Sequence, residues 1–361
     1  MGKRSSTQRV GLADVNQFLK YRGVLPTSRL AAPRTTEVNA ISYKRKPPIN
    51  WMGNKTCLLE QILPLLPDPL PCFCEVFGGS GALTFSVPVL GSEKEIYNDF
   101  NRDLVNFMLV IRYRPHAFLY ELSNHCINAS VEFYAGRHAL HPEDIRTEQE
   151  RKDAERYRKA VLERAYETEE AELGKGALAE EEYQALKKEL GNKADLFDVH
   201  RAVVFYKIQR LSYGGGGRNY GGVFRDLRGY TKDILWGSHR LARVVIQNKD
   251  FEALIRQYDA PDMFFFCDPP YHTTEGVYDV EFPISDHTRL RDTLLGIQGK
   301  CMVTYNDDEF IRDLYSDPVF HILPVERPNS LSSKKDAIFK EVIITNYDTA
   351  RIGGPEQLTL L

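Results

Sequence analysis

Short apolar runs alternate with amphipathic stretches through most of the chain from Ile49 onward. A short apolar run bounded by turn-forming residues is typical of a buried strand. The pattern predicts seven strands, at residues 72–77, 95–97, 244–246, 263–267, 301–305, 320–325 and 341–345. The last two lie close together in sequence, and we predict that they form an antiparallel hairpin.

Amphipathic spacing predicts helices between most of these strands. After Gly53, apolar residues recur at Leu58, Leu59, Ile62 and Leu66, which is a helical spacing. We predict further helices at residues 12–21, 82–89, 101–112 and 202–211, and two exposed helices within the charged segment 143–195. Strands that alternate with helices and end in a hairpin indicate an α/β fold: a Rossmann-like, mostly parallel seven-stranded sheet with one reversed edge strand.

A glycine turn at residues 78–81 follows the first predicted strand, and Asp99 ends the second. Strand, glycine turn, helix and a strand ending in an acid are typical of a nucleotide-binding βαβ unit, in which the acid accepts hydrogen bonds from ribose hydroxyls. The turn is not a phosphate-binding P-loop, because no Gly-Lys-Ser/Thr follows it. The alternative for Asp99 is an N-cap of the helix that begins near Asn101.

The apolar run 263–267 leads directly into Asp268-Pro269-Pro270-Tyr271. Proline fixes φ and has no N–H, so the carbonyls here cannot be absorbed into a following helix. A carboxylate, a free carbonyl and an aromatic ring therefore meet where open α/β sheets bind ligands. This set suits a planar amine, with two acceptors for the NH₂ group and a ring to stack on the base. The alternative is a strand-ending turn without function.

Composition places the chain among globular proteins: 42% of its 361 residues are apolar and 27% are charged. No apolar stretch approaches the roughly 20 residues of a membrane span. We expect six reduced cysteines in a cytoplasmic protein. The net charge is −3, but residues 1–46 are strongly basic and form either a solvated tail or an arm that touches phosphates.

A glycine-rich loop follows the predicted helix 202–211 and spans residues 212–222. Its glycines predict a flexible backbone, and its aromatic and cationic residues suit a loop that becomes ordered on a polyanion. The alternative is a mobile surface loop. The candidate contacts are Arg210, Tyr213, Arg218, Asn219, Tyr220 and Lys232.

The chain resembles the Dam-type, α-class DNA adenine-N6 methyltransferases in six segments: Trp51-Met52-Gly53-Asn54-Lys55, Glu75-Val76-Phe77-Gly78-Gly79-Ser80-Gly81, Asn98-Asp99-Phe100-Asn101, Asp250-Phe251, the closing segment Glu326-Arg327-Pro328-Asn329-Ser330 with Lys334-Lys335, and Asp268-Pro269-Pro270-Tyr271. The last is identical to the catalytic motif of that family. The order of the segments, with a recognition region inserted before the catalytic motif, also matches the α class. Asn54 replaces a glycine of the family pattern, Val76 replaces a proline, and the glycine-rich loop differs from the usual recognition sequence.

The resemblance implies a class I methyltransferase fold with S-adenosylmethionine as cofactor. It also implies methyl transfer to the N6 amine of an adenine flipped out of double-stranded DNA, with Asp268, Pro269, Pro270 and Tyr271 as catalytic residues and no metal. The glycine-rich loop and its flanking cations would contact the DNA. The implied cofactor-binding residues are Trp51, Lys55, Glu75, Phe77, Gly78, Gly79, Gly81, Asp99, Asp250, Phe251 and Asp268.

The expected domains are a basic arm at 1–48, a catalytic domain at 49–112 and 244–350, and a recognition insertion at 113–243. We expect a monomer or weak dimer, of bacterial or phage type, with double-stranded DNA as partner and a restriction endonuclease as a candidate second partner. Three alternatives stay open: methyl transfer to cytosine N4, methyl transfer to an RNA adenine, and a non-catalytic DNA-binding relative.

Overall fold

The computed structural model describes residues 47–86, 93–124, 129–158, 198–222, 225–272, 282–328 and 338–349. Within these ranges the chain divides into two compact units. Unit 1 contains residues 48–52 and Asn106–Ala242, and unit 2 contains Gly53–Val105 and the described residues from Arg243 onward. The predicted helix at 12–21 lies outside the described residues, as does almost all of the predicted basic arm.

A seven-stranded sheet forms the centre of unit 2. Its strands are β1 Cys72–Glu75, β2 Lys94–Asn98, β3 Val244–Gln247, β4 Met263–Cys267, β5 Lys300–Asn306, β6 His321–Pro328 and β7 Ile338–Thr345. They lie in the order β3-β2-β1-β4-β5-β7-β6. The first five are parallel, and β7 is antiparallel to both of its neighbours. All seven predicted strands and the terminal hairpin are confirmed.

The predicted position of the reversed strand was wrong. The reversed strand, β7, lies inside the sheet, where it pairs with β5 on one side and β6 on the other. The edge on this side is β6, which runs parallel to the first five strands because β5 and β6 are both antiparallel to β7. The sheet is therefore mixed, with five parallel strands followed by an antiparallel insertion.

Both faces of the sheet are buried. On β4, Phe264 and Phe266 pack on one face, against Leu58 and Ile62 of the segment after Gly53. The alternating residues of the same strand face the opposite cluster, which contains Leu254 and Leu290. A parallel strand covered on both sides needs apolar residues at every position, which explains the unbroken apolar run of β4.

The structure describes the α-helices α1 Leu59–Ile62, α2 Arg102–Tyr113, α3 Pro115–Asn124, α4 Ser130–Leu140, α5 Val199–Leu211, α6 Thr231–Leu241, α7 Phe251–Tyr258, α8 Ile284–Leu295 and α9 Glu309–Leu314. Short 3₁₀ turns, Lys55–Leu58 and Leu63–Leu65, flank α1. Residues 148–158 are also helical and carry the start of the charged segment, while the rest of it, 159–197, lies outside the described residues.

The predicted helix at 82–89 is wrong over its described part. Residues 82–86 form hydrogen-bonded turns instead. The backbone N–H groups of Leu83 and Thr84 donate to the buried carboxylate of Glu75, at 3.0 and 2.8 Å. In a helix that began at Ala82, these two N–H groups would have no intrahelical acceptor, and the carboxylate from β1 supplies one.

Unit 1 is built from helices. Every residue of α5 from Ala202 onward is buried, and the ring of Tyr206 stacks on Phe107 at 5.4 Å and meets Phe118 edge-on. Among the residues that the structure describes, no helix is long and apolar enough to cross a membrane. The described cysteines are free thiols, and Cys126 lies outside the described ranges.

Candidate active site

Asp268 stands directly after β4, at the carboxyl end of the parallel strands. Its Oδ1 lies 2.7 Å from Lys55 Nζ and accepts a hydrogen bond of 2.8 Å from Thr304 Oγ1 on β5. Burial raises the pKa of Asp268 above its ordinary value, against the opposing effects of Lys55 and Thr304. The carboxylate is therefore held in a partly dry setting, where its charge interacts strongly with nearby groups.

Lys55 connects the start of unit 2 to the catalytic motif. Besides Asp268, its ammonium group donates to the carbonyl of Gly53 at 3.1 Å and lies 4.8 Å from the ring centre of Tyr271. The hydroxyl of Tyr271 in turn donates to the buried Glu341 on β7, at 3.3 Å. Three of the predicted site residues, Lys55, Asp268 and Tyr271, thus lie together.

The glycine turn at 78–81 packs tightly onto the end of β2. The N–H of Gly78 donates to the carbonyl of Asn98 at 2.7 Å, and the Tyr97 hydroxyl donates to the carbonyl of Gly79 at 2.7 Å. A Cβ at Gly78 would lie 2.2 Å from the Tyr97 ring. Gly79 and Gly81 both have positive φ. Only glycines therefore fit this path of the backbone.

Glu75 is buried beneath that turn. Burial raises the pKa of Glu75 to about 7, although its hydrogen bonds from Thr84 and Leu83 act in the opposite direction. The charge of Asp268 adds to the rise. Glu75 thus holds the backbone after the glycines in place, and each of its carboxylate oxygens accepts a hydrogen bond from that backbone.

Asp99 accepts a hydrogen bond from Gly79 N at 2.8 Å and another from Asn101 N at 2.7 Å. Burial raises the pKa of Asp99, and these bonds oppose the rise. The alternative that Asp99 caps α2 is wrong, because Asn101 Oδ1 accepts the N–H of Leu104 at 3.0 Å and fills that role. The carboxylate of Asp99 links the glycine turn to the end of β2.

Asp250 caps α7 and also pairs with Arg289 of α8. Both of its oxygens lie 2.9 Å from guanidinium nitrogens of Arg289, and Asp250 Oδ1 accepts the N–H of Glu252 at 3.0 Å. Burial raises the pKa of Asp250, but these contacts outweigh that effect and hold the pKa below its ordinary value. The ion pair fixes the start of α7 and with it the neighbouring Phe251.

Three aromatic rings meet beside that helix start. Phe77, Phe251 and Phe282 have ring centres 5.6 to 5.7 Å apart in all three pairs. Phe77 follows β1 and Phe251 follows β3, so the rings gather at the carboxyl edge of the sheet. Flat apolar surface of this kind is suited to a nucleobase.

Two predicted site residues, Trp51 and Arg210, belong to unit 1. Trp51 belongs to unit 1, where its ring lies 6.2 Å from Phe205. Arg210 is buried, and its guanidinium donates to Pro48 O at 2.6 Å, Asn50 Oδ1 at 2.9 Å and Tyr206 Oη at 3.1 Å. Arg210 therefore fixes the packing of unit 1, and its predicted contact with DNA is withdrawn.

The glycine-rich loop is closed at its base. Ser212 and Tyr220 form an antiparallel bridge, and Gly217 N donates to Ser212 Oγ at 3.0 Å. A Cβ at Gly217 would lie 2.8 Å from Gln209, so this glycine also allows close packing. At the outer face, Tyr213 is 76% exposed and Asn219 is exposed as well.

Comparison with known proteins identifies the family. The profile described as D12 class N6 adenine-specific DNA methyltransferase matches residues 51–331. The chain belongs to this family. The activity of this D12 methyltransferase is the methylation of DNA adenine at N6. The matched range contains the glycine turn, the Asp268 motif and the glycine-rich loop.

Curated relatives carry matching names. The D12 methyltransferase is 25% identical to a type II methyltransferase of Lactococcus lactis subsp. cremoris, over 84% of its own length and 95% of that protein. It is 21% identical to a DNA adenine methylase of Haemophilus influenzae, over 83% and 93%. It is also 26% identical to the DNA N-6-adenine-methyltransferase of Escherichia phage P1, over 79% of its length and 33% of that longer protein.

Sequence reasoning missed three residues of this site: Thr304, Glu341 and Arg289. Thr304 and Glu341 lie on strands that were predicted correctly, and Val303 pairs with Cys267, immediately before Asp268. The register of neighbouring parallel strands was therefore the signal that could have found Thr304. Arg289 gave no comparable signal, because it lies on a helix far from Asp250 in sequence.

Proposed function

We propose that this D12 methyltransferase transfers a methyl group from S-adenosylmethionine to an adenine flipped out of double-stranded DNA. The observation that carries the proposal is the placement of Asp268-Pro269-Pro270-Tyr271 at the carboxyl end of β4, beside the glycine turn that follows β1. Since β1 and β4 are neighbouring parallel strands, their ends share one edge of the sheet. A class I methyltransferase fold with a reversed seventh strand is part of this proposal.

The residues at that edge fit the proposed cofactor. Asp99 is partly exposed and offers a carboxylate to ribose hydroxyls, while Phe77, Phe251 and Phe282 offer a flat surface to adenine. The glycines at 78–81 bring bare backbone close to the ligand. When bound, S-adenosylmethionine supplies a sulfonium methyl group, which is the electrophile that the target amine needs.

The catalytic residues act on the amine. The lone pair of an adenine amine is delocalised into the ring, so the nitrogen is a weak nucleophile until that pair is localised. Asp268 accepts a hydrogen bond from one N–H of the amine, and the carbonyl of Pro269 accepts a hydrogen bond from the other. These two bonds favour a tetrahedral nitrogen and disperse its growing positive charge. Tyr271 stacks on the base and holds it in line for transfer. An adenine reaches these groups only outside the double helix.

A direct assay tests the proposal. The purified chain is incubated with unmethylated double-stranded DNA and methyl-labelled S-adenosylmethionine, and the DNA is digested to nucleosides. N6-methyladenine is the expected product. Labelled N4-methylcytosine, label in an RNA oligonucleotide alone, or DNA binding without transfer would each replace the proposal with one of the three alternatives. Sequencing of the methylated adenines would give the target sequence.

Asp99→Ala is expected to weaken binding of S-adenosylmethionine by about tenfold to a hundredfold, because a hydrogen bond to a charged partner contributes roughly 1.5–3 kcal/mol. Calorimetry with the folded variant measures the loss. Asp317→Ala, an exposed acid in unit 2, is the control and leaves the affinity unchanged.

Asp99 also holds the glycine turn, so a second measurement separates the two roles. S-adenosylhomocysteine is compared with an analogue that lacks both ribose hydroxyls. Removal of the hydroxyls is expected to weaken binding to the wild type and to change nothing further in Asp99→Ala. An equal further loss in the variant would leave Asp99 with its structural role alone.

The outer face of the glycine-rich loop is the proposed DNA contact. It carries the exposed Tyr213 and Asn219 and the half-buried Arg218 and Tyr220, with the exposed Lys232 on α6. The bridge at Ser212 closes the loop at its base and limits the paths that its backbone can take. Cationic side chains suit phosphates, and aromatic rings suit bases.

Arg218→Ala is expected to weaken DNA binding and to leave the affinity for S-adenosylmethionine unchanged. A phosphate contact predicts equal weakening on all sequences and a salt slope that falls by about one, while a base contact predicts relaxed specificity at one position. Arg243→Ala, an exposed arginine before β3, is the control. Wild-type affinity, salt slope and methylation pattern in Arg218→Ala would remove this loop from the DNA interface.

The division into two units supports a catalytic domain that contains the sheet and a recognition region that contains α3–α6. We keep as proposals a monomer or weak dimer, an intracellular location with the DNA, and a restriction endonuclease that shares the target sequence. The name of the Lactococcus relative, a type II methyltransferase, supports the last of these. The basic segment at 1–46 is proposed to add sequence-independent phosphate contacts.

A further inference from the structure

The two groups that bind the Asp268 side chain both contact the same oxygen. Lys55 Nζ lies 2.7 Å from Oδ1 and Thr304 Oγ1 donates to Oδ1 at 2.8 Å. In the part of the chain that the structure describes, no group donates a hydrogen bond to Oδ2, and the side chain is 17% exposed. One oxygen is thus held by the protein while the other is left for a ligand.

We propose that Thr304 is a positioning residue, which orients the carboxylate of Asp268 so that Oδ2 receives the target amine. The proposal rests on the function proposed above, in which Asp268 accepts a hydrogen from adenine N6.

Rigidity distinguishes Thr304 from Lys55. The terminal torsion of an aspartate is broad and two-fold, so the carboxylate needs an external group to fix its plane. Lys55 is a poor choice for this, because its ammonium ends a flexible stem and carries three equivalent donors. Threonine is stiff at χ1, and Thr304 is fully buried within β5. Its hydroxyl therefore gives the carboxylate a fixed direction, while Lys55 supplies charge.

The register of the sheet brings Thr304 to this point. Cys267 pairs with Val303 across the parallel strands β4 and β5, so the next residues, Asp268 and Thr304, are neighbours. The contact is thus made by adjoining strands in the middle of the sheet and does not depend on a loop. Such support keeps a catalytic group within the narrow range of geometry that the reaction needs.

The hydrogen bond from Thr304 also favours the charged form of Asp268. Charged and titratable groups that act on this carboxylate come from three further elements: Lys55, Glu75 on β1 and Glu341 on β7. Because the Thr304 bond stabilises the carboxylate, its loss is expected to raise the pKa of Asp268. Transfer requires ionised Asp268, so the acid limb of the rate profile then moves to higher pH.

Thr304→Val removes the hydroxyl at nearly constant volume, and Thr304→Ser keeps it. We expect kcat to fall by about tenfold to a hundredfold in Thr304→Val, which is the effect of losing one hydrogen bond to a charged group. KM for DNA and for S-adenosylmethionine is expected to stay within about twofold, and the acid limb to move upward. Thr304→Ser is expected to recover most of the rate and the wild-type pH profile.

Thr345→Val is the matched control, because Thr345 is equally buried but donates to the carbonyl of Tyr347. Thermal melting checks each fold, and Thr304→Ala repeats the test if the valine variant melts early. Wild-type kcat and pH profile in a folded Thr304→Val would overturn the inference while leaving the proposed function intact. An inactive wild type in the same assay would instead reject the proposed function.

Discussion

Asp268→Ala is expected to lower methyl transfer by at least about a hundredfold to a thousandfold, the cost of removing one preorganised group that stabilises charge in a transition state. The variant loses the acceptor for the target amine and leaves Lys55 without its partner at 2.7 Å. Single-turnover kinetics with saturating DNA measure the effect directly. Affinity for S-adenosylmethionine is expected to fall much less than the rate.

Two further variants sharpen this prediction. Asp268→Asn keeps an acceptor for the hydroxyl of Thr304 but removes the charge, so we expect severe impairment here as well. Asp262→Ala changes an exposed acid at the opposite end of the same segment, before β4, and is expected to retain activity. Substantial methylation by a folded Asp268→Ala protein would be incompatible with the proposed chemistry.

Gly78→Ala is expected to destabilise unit 2 by about 1–3 kcal/mol or more, the usual cost of overpacking, and to abolish cofactor binding. The new methyl group would lie 2.2 Å from the Tyr97 ring and 2.8 Å from the carbonyl oxygen of Asn98. The ring is fully buried and the carbonyl belongs to the backbone, so neither can yield without moving the end of β2. Thermal melting and calorimetry with S-adenosylmethionine measure the two effects.

Gly296→Ala is the matched control for this substitution. Gly296 ends α8 with φ −95°, and the nearest atom to an added Cβ is Thr293 O at 3.7 Å. We expect a change within about 0.5 kcal/mol, as for ordinary surface substitutions. A Gly78→Ala protein that melts and binds like the wild type would show that the glycine turn has more room than the packing indicates.

The strands could be predicted because each is encoded by a local apolar run, and the Asp268 motif because it follows one of them. Hydrogen-bonded turns replace the described part of the helix predicted at 82–89, and Glu75 accepts the N–H groups of Leu83 and Thr84 there. Side-chain spacing cannot reveal a carboxylate that arrives from another element. The same limit hid the position of β7, since the order of strands in a sheet depends on pairing rather than on pattern.

Arg210 shows the corresponding limit for function. A cation beside a glycine-rich loop suits a polyanion, but the acceptors that bury this one come from Pro48 and Asn50, far away in sequence. One local signal was available, because Tyr206 precedes Arg210 by four residues on the same helix and accepts from its Nε. The exposed face of the loop, in contrast, carries Tyr213 and Asn219, two of the residues that the sequence predicted as DNA contacts.

The interior position of β7 has a consequence for how the enzyme is made. During synthesis the chain leaves the ribosome from its N-terminus, so β5 emerges before the strand that pairs with it between Met302 and Asn306. Until residues 338–345 appear, β5 presents an open edge that other chains can join. The same late strand brings Glu341 to Tyr271. The sheet and the hydrogen bond between Tyr271 and Glu341 are therefore completed in the same step of folding.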